Sequence, residues 1–258
     1  MNEFPTISII IPTKNSAKTL PSLLKSIIDE RYSSFEIIVV DDLSSDKTVE
    51  IAKNYGARII SERSSMTMAR NAGNKEAKGK YLMSLDSDMS IEPGLLTECE
   101  SIIENEGVDA IIIPEVNVGE GYWSSCLYLE KIFSFGELNL ESSRFFLKSA
   151  LDSVGDYDEK LIAGEDADIQ RRLVASGFKI GRSKRIIYHY LGKLTLRQIA
   201  KKYRFYGKTI SAYREKYNYK SGSNFRLYMR KKNIFIYHPV ETPGYLFLRL
   251  IEFVSYKQ

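Results

Sequence analysis

Residues 7–46 read ISIIIPTKNSAKTLPSLLKSIIDERYSSFEIIVVDDLSSD, and the fold is decided here. Ile7–Ile11 is an isoleucine-rich run closed by Pro12, the pattern of a strand buried on both faces of a parallel sheet. Thr19–Ile28 then changes period and places Leu20, Leu23, Leu24, Ile27 and Ile28 on one face, as an amphipathic helix does. Phe35–Val40 is a second buried strand, and it delivers Asp41 and Asp42 at its end. Strand, helix and strand of these lengths form one right-handed crossover unit.

The alternation continues outward. Asp46–Tyr55 reads as a helix with Asp46 as a capping residue and Gly56 as its stop. Arg58–Ile60 and Tyr81–Leu85 read as strands, with Met66–Ala77 a helix between them. Pro93–Glu104 is a helix with proline in its first turn, and Ala110–Ile113 is a further strand. Later, Tyr122–Phe135, Lys148–Val154 and Ala163–Ser176 are expected as helices, and Arg144–Leu147 and Ile186–Tyr190 as strands. Leu196–Tyr217 reads as one long basic helix with Gly207 inside it, and Tyr245–Tyr256 as an amphipathic terminal helix. The expected class is α/β: a doubly wound, mostly parallel sheet flanked by helices, with a helical basic C-terminal extension. Residues 1–192 would form the main domain and 193–258 the extension. Ligands of such sheets sit beyond the carboxyl ends of the strands, where this sequence puts Thr13, Lys14 and Asn15, then Asp41 and Asp42, then Asp86 and Asp88.

Composition sets limits. Apolar residues make up 43% of 258 residues, enough to bury a core. The N-terminus lacks the basic region of a signal peptide, and no apolar stretch approaches the 18 residues of a membrane span. Cys99 and Cys126 have no metal-ligand spacing and suit a reduced, cytoplasmic setting as buried thiols. The net charge of +4 conceals an asymmetry: Arg182–Lys232 carries 16 Lys/Arg and ten Tyr/Phe against one acid, Glu215. Such a block suits an anionic membrane surface or a diphosphate, or is simply a solvated basic face. No nucleic-acid-binding pattern accompanies it.

Asp86-Ser87-Asp88 follows a buried strand, and two carboxylates at this spacing can converge on one hard cation such as Mg²⁺ or Mn²⁺. A solvated Asx turn has the same sequence. Asp41 or Asp42 can accept from the polar edge of a nucleobase, while Ser44, Ser45 or Asp46 caps the next helix. Arg70 suits a phosphate, a base stack or a salt bridge. No GxGxxG follows the first strand, and Gly73–Gly79-Lys80 has five residues between its glycines, which excludes a dinucleotide fingerprint and a P-loop.

ISIIIPTKN, EIIVVDDLSSDKT, ARNAGNKEAKGKYLMSLDSDMSIEPG and SVGDYDEKLIAGEDADIQRRLVASGFKI, in this order and spacing, resemble glycosyltransferase family 2 of the GT-A fold. The resemblance covers roughly the first 190 residues. It implies inverting transfer from a nucleoside-diphosphate sugar, with a UDP-sugar as the favoured donor and Mn²⁺ or Mg²⁺ as cofactor. It places Pro12, Thr13, Asp41 or Asp42, and Arg70 around the nucleotide. Asp86 would lie near ribose and metal, Asp88 would ligate the metal, and His189 would be a further metal or diphosphate ligand. The Glu165-Asp166 pair maps onto the family's catalytic acids: Asp166 as base, Glu165 orienting the site, with Asp168 favouring the helix N-terminus. Gln170-Arg171-Arg172 departs from the QxxRW pattern of processive synthases.

A sugar hydroxyl is a poor nucleophile and needs a base, whereas a lipid phosphate is already anionic. The acid pair therefore favours a hydroxyl of a saccharide or lipid-linked saccharide as acceptor over the alternative, a polyprenyl phosphate. The basic aromatic segment and Tyr245–Val254 would then rest peripherally on the cytoplasmic face of a membrane, or Lys201, Lys202, Arg204 and Lys208 would close over the donor diphosphate.

Overall fold

The computed structural model describes residues 5–138, 140–218 and 225–256. Met1–Phe4 of the N-terminal segment, and Tyr219 and Lys220 of the basic block, lie outside them. The first crossover unit is β1 (Ile7–Thr13), α1 (Leu20–Ile28) and β2 (Phe35–Asp41). It is followed by α2 (Thr48–Asn54), β3 (Arg58–Ser61), α3 (Met66–Glu76), β4 (Tyr81–Ser84) and β5 (Met89–Ile91). Next come α4 (Leu95–Glu106), β6 (Ala110–Ile112), β7 (Glu115–Glu120), α5 (Tyr122–Ser134) and β8 (Ser143–Leu147). Then α6 (Lys148–Val154), α7 (Glu165–Ala175), β9 (Ile180–Arg182) and β10 (Ile187–Lys193) complete the sheets. The chain continues in α8 (Leu196–Thr209), α9 (Ser211–Tyr217), α10 (Phe225–Arg230), α11 (Asn233–Tyr237) and α12 (Glu241–Ser255).

Seven strands form the main sheet in the order β3-β2-β1-β4-β8-β6-β9. All neighbours are parallel except β8, which runs antiparallel between β4 and β6. All seven residues of β1 are buried, so its Ile-rich composition follows from having helices on both faces. One core layer packs α1 and α4 against Ile7, Ile9 and Ile11. The opposite layer packs α3, α6 and α7 against Ile10, Ile38 and Val40. A Cβ on Gly73 would collide with the Ile10 side chain, so only glycine lets α3 approach β1 this closely.

The strand expected at Ile186–Tyr190 belongs to a separate three-stranded sheet, β5-β10-β7. The single helix expected at Leu196–Tyr217 is two, broken at Ile210. Gly207 stays inside α8 because a Cβ there would collide with the Ser255 carbonyl oxygen of α12. Helices α5, α8 and α12 share a third apolar core that includes Leu129, Phe133, Ile199, Tyr203, Tyr245 and Leu248. Both cysteines are free and buried.

Candidate active site

The carboxyl ends of β1, β2 and β4 open into a cleft of about 910 Å³, whose other wall is α8. The β1 and β2 ends are tied together by side chains. Ser44 Oγ accepts from the Asn15 amide at 2.7 Å, and Asn15 Oδ1 accepts from the Ser45 amide at 2.8 Å. Asn15 takes the left-handed conformation with φ 50, which asparagine tolerates better than most residues.

Asp41 is buried and internally satisfied: it accepts from Thr13 Oγ1 at 3.0 Å, from the Ser44 amide at 2.8 Å and from Ser44 Oγ. Asp42, by contrast, lines the cleft with Pro12 and Thr13. Its carboxyl is held below the usual range by a hydrogen bond from Lys14. Of the two aspartates, Asp42 therefore faces the cleft, and Asp41 lies buried behind it.

Arg70 gathers the carboxylates. It is 1% exposed on α3, and the rest of its motif fixes the loop that carries the acid pair. Asn71 both donates to the Tyr157 carbonyl at 2.9 Å and accepts from its amide at 3.0 Å. Thr67 donates to Leu161 and Asn74 to Asp156. Stapled in this way, Arg70 Nη1 lies 3.0 Å from both Glu165 and Asp166, and Nη2 lies 2.9 Å from Asp86. Its guanidinium is directed at carboxylates, and the residue lines the cleft. Burial would lower the Arg70 pKa, but Asp166 and Asp86 outweigh it and keep the group charged.

A second buried cation lies behind the first and escaped the sequence reading. Arg144 of β8 is 6% exposed; its Nη2 is 2.7 Å from Glu115, 3.4 Å from Asp86 and 3.9 Å from Asp166. Lys131 of α5 pairs with the same Glu115 at 2.6 Å. Burial pushes the Asp86 carboxyl up, yet Arg144 and Arg70 together hold it at about 2. Glu115 is likewise held below its ordinary range by Arg144 and Lys131 against burial. A charged residue inside the apolar run Ser143–Leu147 was the available signal.

Glu165 shows the opposite balance. Burial, and then the charge of Asp166, push its carboxyl up to about 7 despite Arg70. A carboxyl whose folded pKa exceeds its unfolded value of about 4.5 binds protons more tightly when folded. Its contribution to stability is therefore fully present below pH 4.5 and lost as pH rises through 7. Glu165→Gln should flatten the fall in melting temperature between pH 5 and 8. An unchanged slope in scanning calorimetry would show that other groups set it.

Asp168, by contrast, is fully buried and structural: it binds Arg172 at 2.8 Å, Lys216 at 2.6 Å and the Tyr217 hydroxyl at 2.7 Å, tying α7 to α9. Gln170 is buried and joins Ser143 to the Leu138 and Glu141 carbonyls.

Both oxygens of Asp86 face arginines, and of the two aspartates Asp88, with its side chain 40% exposed, is the more open. His189 Nε2 stands 3.3 Å from Asp88 Oδ2, and its buried Nδ1 has no partner among the described residues. Among those residues no cluster of three or more His, Cys, Asp or Glu surrounds a common point. One carboxylate and one imidazole fit a hard divalent ion whose other ligands are phosphate oxygens and water. Of the basic α8 residues, Lys202 lines the cleft, whereas Arg197, Lys201, Arg204 and Lys208 recur at helical spacing on an exposed face.

The family model described as Glycosyl transferase family 2 matches residues 8–141, just over half of the 258-residue chain. Glycosyltransferase AglE of Haloferax volcanii is 28% identical over 196 residues, 68% of this chain and 64% of AglE. The poly(ribitol-phosphate) beta-N-acetylglucosaminyltransferase TarS of Staphylococcus aureus is 30% identical over 115 residues, 41% of this chain and 20% of TarS. The chain thus spans less than two thirds of either relative. TarS 1-349 in complex with UDP-GlcNAc superposes with a TM-score of 0.58 at 22% identity, over 80% of this chain and 66% of that one. Mannosyltransferase PcManGT from Pyrobaculum calidifontis, in complex with GDP-Man and Mn²⁺, gives a TM-score of 0.66 at 14% identity, over 99% and 73%. These superpositions establish the GT-A fold, and the family match across the strands that build the cleft shows that the chain belongs to glycosyltransferase family 2.

Proposed function

We propose that the chain is a metal-dependent inverting glycosyltransferase that moves a sugar from a nucleoside-diphosphate sugar, preferably a UDP-sugar, to a hydroxyl of a saccharide or lipid-linked saccharide. The observation that carries this reading is the convergence of Asp86, Glu165 and Asp166 on the buried Arg70, beside the open pair Asp88 and His189. Residues 1–192 supply this machinery, and residues 193–258 supply the outer wall of the cleft.

Asp42 and Pro12 border the nucleotide. Asp88 and His189 would hold Mn²⁺ or Mg²⁺, which supplies charge stabilisation for the leaving diphosphate when bound. Asp166 takes the proton of the attacking hydroxyl, since one of its oxygens is held by Arg70 while the side chain keeps 23% exposure to the cleft. Arg70 holds that carboxylate in place, 3.0 Å from one of its oxygens. Glu165, its charge disfavoured by Asp166, shares the same guanidinium nitrogen and fixes the loop. The complexes of TarS with UDP-GlcNAc and of PcManGT with GDP-Man support a nucleotide-sugar donor.

Release of nucleoside diphosphate from UDP-GlcNAc, UDP-glucose and GDP-mannose tests the reading, with and without Mn²⁺ and with saccharide acceptors. One donor is expected to be consumed, only with metal, and faster with acceptor. Consumption unaffected by chelator would remove the metal from the reading, and no release from any donor would contradict transfer.

A further inference from the structure

Helix α12 is built inside out for a helix in water. It turns its charges toward the protein: Arg249 pairs with Glu252 at 2.8 Å and with Glu130 at 3.3 Å, and donates to the Tyr203 hydroxyl. Tyr245 and Leu248 pack inward beside them. The outward face is apolar. Leu246, Phe247, Leu250 and Val254 recur at i, i+1, i+4 and i+8, and each is 45–58% exposed. The preceding turn adds Ile236, Tyr237 and Val240, at 66–77% exposure. A surface helix of a protein surrounded by water shows the opposite arrangement, and an uncovered apolar face of this kind marks an interaction site.

The charge around this face selects its occupant. Residues 193–258 carry fifteen Lys/Arg against Glu215, Glu241 and Glu252 alone. Arg226 and Lys232, in and beside the short helices leading into α12, are exposed, as is the Arg197–Lys208 stripe of α8, while Arg230 pairs with Glu137 at 2.6 Å. Trp123 of α5 packs against Phe247 with the rings tilted and their centroids 6.2 Å apart, and the Tyr122 hydroxyl donates to the Val240 carbonyl. Apolar residues, a border of tyrosine and tryptophan, and flanking cations are what a helix lying in the headgroup region of an acidic bilayer presents. A second copy of the chain would bring the same excess of positive charge to the interface. Among the described residues no helix is long and apolar enough to cross a membrane.

We infer that the outward face of α11 and α12 docks the protein on an anionic lipid surface, with α12 lying along the headgroup layer. Glu252 and Tyr256, at the end of the same helix, line the cleft. The docked helix therefore borders the site, and, resting on the transfer reading above, this favours a lipid-linked saccharide over a free one.

Flotation tests it, using vesicles of phosphatidylcholine alone and of phosphatidylcholine with 30% phosphatidylglycerol, at low and high salt. The full chain is expected to float with the anionic vesicles at low salt and to bind neutral ones at least tenfold more weakly. Leu246→Glu with Leu250→Glu should cut binding at least tenfold at an unchanged melting temperature. Equal flotation of this variant would overturn the inference, as would no binding of the natural chain at low salt. A dimer in light scattering that the double substitution abolishes would assign the face to a second copy instead. Loss of docking alongside intact diphosphate release would leave the transfer reading standing, so the two fail separately.

Discussion

Asp166→Asn should slow transfer to a hydroxyl acceptor by about 10²–10⁴-fold, the range of a positioned general base. The amide keeps the shape and one contact to Arg70, 3.0 Å away in the natural chain, but it cannot take the acceptor proton. Affinity for the nucleoside diphosphate should change little, because Asp42, Asp88 and His189 are untouched. Initial rates at saturating donor, beside diphosphate affinity by calorimetry, separate the two effects. A rate within a few-fold of the natural enzyme would mean that the acceptor arrives already ionised, as a phosphate does, and the polyprenyl-phosphate alternative would replace the hydroxyl reading.

Arg70→Met is expected to have the largest effect on stability. The methionine fills much of the space but leaves Asp86, Glu165 and Asp166 without their shared counter-charge. Removing one partner from a buried charge network costs about 3–5 kcal/mol, which for a chain of this size lowers the melting temperature by roughly 10 °C. Arg144, already engaged with Glu115, offsets only part of this. Without the guanidinium, whose charge opposes the upward push on Glu165, that carboxyl protonates more readily. The deficit against the natural chain should therefore be greatest near pH 8 and shrink toward pH 5. A loss independent of pH in calorimetry would point to packing against Tyr157, whose ring lies 5.3 Å from the Arg70 guanidinium carbon, and not to charge.

Elements buried on both faces could be read from the sequence because their composition is dictated by burial alone. Ile7–Ile11, Phe35–Val40 and Tyr81–Leu85 needed no knowledge of their neighbours. Strand β7, Glu-Val-Asn-Val-Gly-Glu, was missed because it edges the small sheet and its second half is exposed, so its pattern is that of a loop. Strands β5 and β9 are three residues each, too short to show a period. The break at Ile210 carries no glycine or proline, while Gly207, which invites a break, is required by close packing of α12.

The site divides along the same line. Asp86, Asp88, Glu165 and Asp166 stood out by motif and position at element ends. What the motif could not convey is that Arg70 binds three of them and that Asp86 faces two arginines. Glu115, Lys131 and Arg144 come from β7, α5 and β8, and only the folded chain brings them together. A buried charge is recognised by its partners, and these partners are distant in sequence.

The most direct test of the central claim is the thermal stability of the chain with UDP, GDP, CDP or dTDP, each with and without Mn²⁺, compared with Asp88→Asn. A ligand at 100 times its Kd stabilises by about 2.7 kcal/mol. UDP with Mn²⁺ is expected to raise the melting temperature by several degrees, UDP alone by much less, and Asp88→Asn to lose the metal-dependent part. Stabilisation by a diphosphate that neither metal nor Asp88 influences would contradict the assignment of Asp88 and His189. No stabilisation by any diphosphate with metal would contradict the reading of this cleft as a nucleotide-sugar site.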